Sequence, residues 1–472
     1  MGPEHLKFGG GVSETTLNPG VLVVVLVAGI LICFCRRKRA IAAFLGTSLL
    51  IPMDQVLLMG SLHFPMLRVL IVFGIVRILR EKAFSRQPLF SGGLNKIDLA
   101  VILLAVSTAV NGMLLFKELG AIIYQLGVLY TVLGIYFLLR FLIRDQEDIA
   151  CAIRMLAWIA AIVAVIMTYE IATGHSPYAL LGGGRAAYYA SLAARDDRFR
   201  AQGPFAHSIL AGTFGAVLLP AFVSLWLKDK KNHKLMALGI IAATVITLAS
   251  NSSTPILGYA AGLLALCMWP LRRWMSAIRC AIVLILVSLH MVMKAPVWNL
   301  IARIDVTGGS SGYHRYMLVD QCIRHFSEWW LLGVKDTGSW GWDLWDTANQ
   351  YVNVCENSGL IPFIMLLAII VYGFKSLGKA GRASRNRNNK LFLWGLGASL
   401  LATVVAFFGI SIFDQTMIVW YGLLAMISVA GEVSPRTQLV NDSLPLHTGA
   451  SYQASRFVGK TSCIPEESWS SL

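Results

Sequence analysis

The chain has 472 residues, of which 56% are hydrophobic and only 14% charged, and its mean hydropathy is +0.66. Soluble globular chains carry nearly twice that charged share, so a water-solvated globule is excluded. The net charge of +15 sits in short clusters between apolar runs and not on one face of a soluble domain, which excludes nucleic acid as the partner and points to a lipid bilayer.

Apolar runs fall at about 19–35, 40–58, 64–80, 98–116, 119–142, 149–169, 204–227, 235–250, 254–271, 276–294, 357–374, 391–411 and 416–431. Each is near the roughly 20 residues of α-helix that cross the hydrocarbon core. The expected fold is an all-α polytopic membrane protein of about 12–13 transmembrane helices. The run at 40–58 is the weakest, because Pro52, Asp54 and Gln55 interrupt it; a re-entrant or interfacial segment is the alternative there. The first run does not read as a signal peptide: no small-residue cleavage site follows it, and Arg36-Arg37-Lys38-Arg39 closes it on the wrong side.

The basic clusters Arg36 to Arg39, Arg77 to Lys96, Arg140 with Arg144, Lys228 to Lys234, Arg272-Arg273 and Lys375 to Lys390 follow alternate spans. The short connections between, near 59–63, 117–118, 251–253 and 412–415, hold one Lys and no Arg. Basic residues in short loops stay cytoplasmic, so this alternation puts the N-terminus outside and the C-terminus in the cytoplasm. The chain then divides into N-terminal transmembrane helices (1–169), a first external loop (170–203), central helices (204–294), a second external loop (295–356), C-terminal helices (357–431) and a flexible Ser-rich tail (432–472). The second loop carries Trp329, Trp330, Trp340, Trp342 and Trp345, a composition for amphipathic helices at the membrane surface.

Eight cysteines are scattered along the chain. Cys33-Phe34-Cys35 lacks the two-residue gap of a redox or zinc pair, and no metal site is read. Cys322 and Cys355 share an aqueous loop, where they are either a pair in an oxidising compartment or two buried thiols.

The first long loop ends Arg195-Asp196-Asp197-Arg198-Phe199-Arg200-Ala201-Gln202-Gly203-Pro204-Phe205-Ala206-His207, so three arginines meet the membrane at headgroup depth. Arginine forms bidentate, charge-assisted bonds with phosphate oxygens, which suits a lipid-linked phosphate or diphosphate. The plainer reading pairs these arginines with Asp196 and Asp197. A metal reading of the two acids is weak, since flanking arginines repel a cation. The second loop carries Gly312-Tyr313-His314-Arg315, then Gly333, then Asp346-Thr347-Ala348-Asn349-Gln350-Tyr351 leading to Glu356-Asn357-Ser358-Gly359. Two loops thus present arginine to one compartment. Asp346 and Glu356 flank the return to the membrane, where a carboxylate without a partner is costly; either pairs with Arg or acts as a base.

In its order of features the segment 195–375 resembles the O-antigen ligase and Wzy-type polysaccharide polymerase superfamily of bacterial envelopes. The features are an Arg-x-x-Gly-x-Phe element before a span, an Arg-led amphipathic segment ending in Gly, and an Asn element with Gly before another span. The resemblance implies a GT-C-like architecture in the bacterial inner membrane and transfer of a glycan from undecaprenyl diphosphate to an acceptor sugar, with no cofactor, metal or nucleotide. It also implies polysaccharide export or assembly proteins as partners. Ligases of the family place His immediately before the Asn of the second loop, and this chain has Ala348 before Asn349, which favours a capsule or exopolysaccharide polymerase over a ligase. Thr254-Pro255 stands where relatives often have Arg-Gly.

On this reading Arg200 and Arg315 hold the diphosphate charge as the glycosidic bond breaks, and His314, Asp346 or Glu356 supplies a modest base, Asp346 ranking first. Arg195, Arg198, His207, Asn349 and Trp342 complete the expected substrate-binding set. Two further readings stand beside the polymerase. One is a ligase joining finished glycan to a lipid or protein acceptor. The other is a multi-span transporter or flippase, which would place ionisable residues mid-span and show internal repeats.

Overall fold

A computed structural model describes residues 15–59, 62–84, 88–182, 189–195, 198–303, 312–341 and 343–432, apart from the side chains of Arg195 and Arg303. Trp342, Asp196, Asp197 and the tail beyond 432 lie outside the described residues. Helices dominate. In chain order they are α1 (Pro19–Phe34), α2 (Arg37–Leu50), α3 (Met66–Phe84), α4 (Lys96–Phe116), α5 (Leu119–Leu142), α6 (Gln146–Thr173), α7 (Ser208–Lys228), α8 (His233–Ala249), α9 (Ser253–Cys267) and α10 (Met275–Val292). There follow α11 (Gly312–Arg324), α12 (Phe326–Trp329), α13 (Gln350–Ser358), α14 (Leu360–Ala383), α15 (Arg387–Ala406) and α16 (Gln415–Glu432). Strand is confined, among the described residues, to two small antiparallel hairpins, β1 (Val56–Met59) with β2 (Leu62–Pro65) and β3 (Ala194–Arg195) with β4 (Arg198–Phe199).

Eight helices among the described residues are long and apolar enough to cross a membrane, and α1 and α9 are shorter apolar helices. Each apolar run of the sequence contains an α-helix, but the helices in the runs at 254–271 and 391–411 stop short of the runs' ends, at Cys267 and Ala406, and the largest shortfall is at 40–58. The run at 40–58 is helical only to Leu50, because the Pro52 ring cannot continue an α-helix. Its remainder enters the β1–β2 hairpin, Val56 facing Pro65 and Met59 facing Leu62. The architecture is that of an all-α polytopic membrane protein.

Helix α7 is the centre of the bundle. Ala211, Gly212, Gly215 and Ala216 are buried on it, and small side chains let α8, α9 and α15 approach closely around it. Helix α10 is the opposite case: none of its residues is buried, and it packs chiefly on the 3₁₀ turns that flank it, Trp269–Trp274 and Val297–Arg303.

The two ends of the bundle differ in chemistry. At one end, which carries the basic connections, Arg77 donates to the carbonyls of Ile32 and Cys35 at 2.7 and 2.8 Å and so caps α1. Arg140 is fully buried there; it meets Glu432 at 2.7 Å and Asp98 at 3.4 Å and donates to the Ser91 carbonyl at 2.8 Å. Tyr136 bonds Asp98 and Ser428, so one network of charges and hydroxyls ties α4, α5 and α16 together. The opposite end carries both long connections, and the polar residues discussed next lie there.

Candidate functional site

The strand-to-helix passage before α7 is held from two sides. Glu170, at the end of α6, accepts from the backbone N–H groups of Gln202 and Gly203 at 2.8 and 2.9 Å. Gln415, at the start of α16, donates to the carbonyls of Pro204 at 2.7 Å and Ile51 at 3.3 Å. Both side chains are fully buried, and a buried polar group satisfied in this way fixes the backbone it touches. Arg200 stands on that fixed segment, its own N–H donating to the Ala193 carbonyl and that of Ala201 to the Ala249 carbonyl. From there Arg200 donates through Nη2 to Ser252 Oγ at 2.8 Å, and Ser252 donates onward to the Ser250 carbonyl at 3.0 Å.

Arg315 arrives at the same turn from the second long connection. It lies in the first turn of α11 and is 8% exposed. The turn between α15 and α16 meets it at Gly409: a Cβ there would stand 3.1 Å from Arg315 Nε and 2.9 Å from Thr254 Cγ2. Thr254 in turn donates to the Gly409 carbonyl at 3.1 Å. Glycine is needed at 409 because any side chain would wedge these groups apart. Arg200 thus bonds Ser252, the N-cap of α9, and Arg315 lies across Gly409 from Thr254 in the first turn of the same helix.

The same 407–412 turn positions the 346–356 segment. The Phe407 carbonyl accepts from Gln350 N at 2.8 Å, Gln350 Oε1 accepts from Ile412 N at 2.6 Å, and Ser411 donates to the Thr347 carbonyl. His314 lies beside this segment, its Nε2 3.0 Å from the Asp346 carbonyl oxygen, so Nε2 carries the proton. The Asp346 side chain is exposed.

Glu356 is 3% exposed. Its Oε2 accepts from the Thr347 hydroxyl at 2.8 Å, while Oε1 has no hydrogen-bond partner among the described residues. Burial raises its pKa to about 7, against the lowering effect of the Thr347 bond. The backbone around it is clamped: the Glu356 carbonyl accepts from Val334 N at 2.6 Å, and Gly333, at φ +93°, lets the chain pass against that carbonyl where a side chain would collide. Asn111 of α4 ties both strands of this contact down, donating to the carbonyls of Ser358 at 2.5 Å and Leu331 at 3.3 Å.

Other expected site residues take different positions. Asn349 is fully buried and caps α13: its Oδ1 accepts from Tyr351 N at 2.9 Å and Val352 N at 3.2 Å, and Nδ2 reaches the Phe408 carbonyl at 3.4 Å. Its polar atoms are engaged in holding the start of α13 and the 407–412 turn. His207 caps α7, Nδ1 accepting from Ile209 N at 3.3 Å, with its ring exposed. Arg198 is exposed on β4. Arg195 pairs with Arg198 in the backbone of that hairpin, its side chain lying outside the description. Ser252, Thr254, Gly409 and Glu170 were not among the expected site residues. Of these Glu170 carried a signal as a carboxylate beside an apolar run, and Thr254 as a departure from the family pattern at Thr254-Pro255.

Fold and site together define a polytopic helical membrane protein whose two long connections meet at one end around a pair of arginines and a carboxyl of near-neutral pKa. No protein-family model matches the chain, and no curated protein matches it.

Proposed function

We propose that the chain is a polymerase that extends a glycan carried on undecaprenyl diphosphate, acting at the outer face of a bacterial cytoplasmic membrane in surface or exopolysaccharide synthesis. The observation that carries this reading is the placement of both arginines by the start of α9, Arg200 bonded to Ser252 and Arg315 beside Gly409 and Thr254. Two guanidinium forks near one helix start suit a diphosphate, whose oxygens accept paired N–H bonds. As the glycosidic bond breaks, negative charge gathers on the leaving diphosphate, and donors already in place stabilise it more than water does.

Diphosphate leaves without a strong general acid, so the remaining need is a base for the acceptor hydroxyl. The buried Glu356, with its pKa near 7 and one oxygen unengaged, suits that task better than Asp346, which stands in solvent. The positive-inside rule supports an external location for the end that holds the site, because the basic connections lie at the other. A helical bundle with both long connections at one end supports a GT-C-like architecture.

The test is reconstitution of the purified protein into liposomes with an undecaprenyl-diphosphate oligosaccharide, without added metal or nucleotide. Extension into a ladder is expected, and its loss in Arg200→Ala. A single transfer to another acceptor would instead make the protein a ligase, and flipping without transfer a transporter.

A further inference from the structure

The second long connection has a small core of its own. Leu318, Trp329, Trp340 and Val352 close around Cys322 of α11 and Cys355 of α13, which are 5% and 4% exposed. The two thiols touch, one hydrogen-bonding the other, and Trp329 fixes the backbone beside them by donating to the Cys322 carbonyl at 2.6 Å. The remaining described cysteines are all elsewhere. Cys33 and Cys35 end α1, Cys151 lies in the first turns of α6, Cys267 is the last residue of α9, and Cys280 is in the second turn of α10. Every one of these is toward the basic end of the bundle. The end holding the arginines has only the Cys322 and Cys355 pair among the described cysteines.

We infer that Cys322 and Cys355 are joined by a disulfide in the mature protein, locking α11 to α13. Three physical arguments support the bond. The thiols come from different helices and lie in one small core within hydrogen-bonding reach of each other, the approach a disulfide needs. A core this small supplies little hydrophobic stabilisation, and small units facing an oxidising compartment are commonly stapled. The link also joins the parts that matter: His314 and Arg315 open α11, while Glu356 follows Cys355 directly.

The oxidant is a disulfide-bearing thiol oxidase. The Cys322 thiolate attacks one sulfur of its disulfide, forming a mixed disulfide and freeing the other sulfur as a thiolate. The Cys355 thiolate then attacks Cys322 Sγ and expels the second sulfur. Two protons and two electrons leave the pair, and the oxidant ends as a dithiol. Burial and the neighbouring thiol push the Cys355 thiol up, away from the reactive thiolate. The finished bond, buried with Cys322 and Cys355, is shielded from reductants.

The experiment uses the full chain in native membranes. Thiols are trapped with N-ethylmaleimide under denaturing conditions, the protein is reduced, newly freed thiols take a heavy-isotope maleimide, and peptides are read by mass spectrometry. The expected result is heavy label at Cys322 and Cys355, light label at the other described cysteines, and a linked 322–355 peptide in the unreduced digest. Cys322→Ser should turn Cys355 from heavy to light. Light label at both cysteines of the wild type overturns the inference. No glycan transfer enters this readout, so its failure is separate from any failure of the polymerase reading.

Discussion

Arg200 and Ser252 are joined across 2.8 Å, and that bond fixes the first long connection to the turn between α8 and α9. The arginine thereby gains a defined direction on a surface where a long side chain would otherwise sample many rotamers. Replacing Ser252 with Ala should weaken catalysis less than removing the arginine itself. A lost hydrogen bond to a charged group is worth about 1.5–3 kcal/mol, or roughly 10–100-fold. Arg200→Ala, which removes a donor to the leaving group, should cost about 10²–10³-fold. Turnover in proteoliposomes of matched protein content measures both, and equal losses in the two variants would contradict the ordering.

Gly409 packs against Thr254 and Arg315 without a side chain between. Gly409→Ala should displace Arg315 and reduce transfer about as severely as Arg315→Lys, which keeps the charge and loses the fork. Both proteins should still elute as wild type on size exclusion. Full activity in Gly409→Ala would place Arg315 outside the reacting centre.

Glu356 has its pKa raised to about 7. A base must be ionised to act, so transfer should fall as pH drops through about 7, and Glu356→Gln should remove both the activity and that limb of the profile. Stability has its own sign. Because the folded pKa lies above the unfolded value of about 4.3, the folded protein holds the proton more tightly. Stability is full below the unfolded pKa, and is lost as pH rises toward the folded one. Glu356→Gln should therefore melt progressively higher than wild type between pH 5 and pH 8, by differential scanning fluorimetry. A pH-independent difference would show that Glu356 is not buried as a carboxyl.

Asn349 is a test of cap against contact. Asn349→Asp preserves an oxygen acceptor for Tyr351 N and Val352 N and should retain most activity, whereas Asn349→Ala should lose about 1 kcal/mol of stability. Loss of transfer in the Asp variant at unchanged melting temperature would restore a substrate role.

Arg140 is expected to matter for folding alone. Truncating it leaves Asp98 and Glu432 without their partner, and breaking a buried pair costs about 3–5 kcal/mol. Arg140→Ala should reduce the yield of monodisperse protein, and whatever folds should keep its turnover per molecule.

The helices were legible because hydropathy is a local property: an apolar run such as 119–142 is Leu119–Leu142 in the structure. The 40–58 run misled because its composition stays apolar past Pro52, although its backbone turns into a hairpin. Arg200 and Arg315 were legible as arginines in the two long connections. Their meeting was not, since it depends on Ser252 and on Gly409, a glycine inside an apolar run. The same holds for the 407–412 turn, which works largely through backbone carbonyls that no side-chain pattern announces. Asn349 was readable as a cap from its place before a short amphipathic helix, and its position in a family motif drew the reading toward substrate instead.

Helix α10 has no face kept for protein, since none of its residues is buried. A helix with no groove to seat in takes its height and tilt from where lipid begins and ends, in the manner of a float. The chain passes from α10 through the 3₁₀ turn Val297–Arg303 toward α11 and Arg315. Lipids of different chain length then offer a test of whether bilayer thickness reaches the arginine site, without changing a residue.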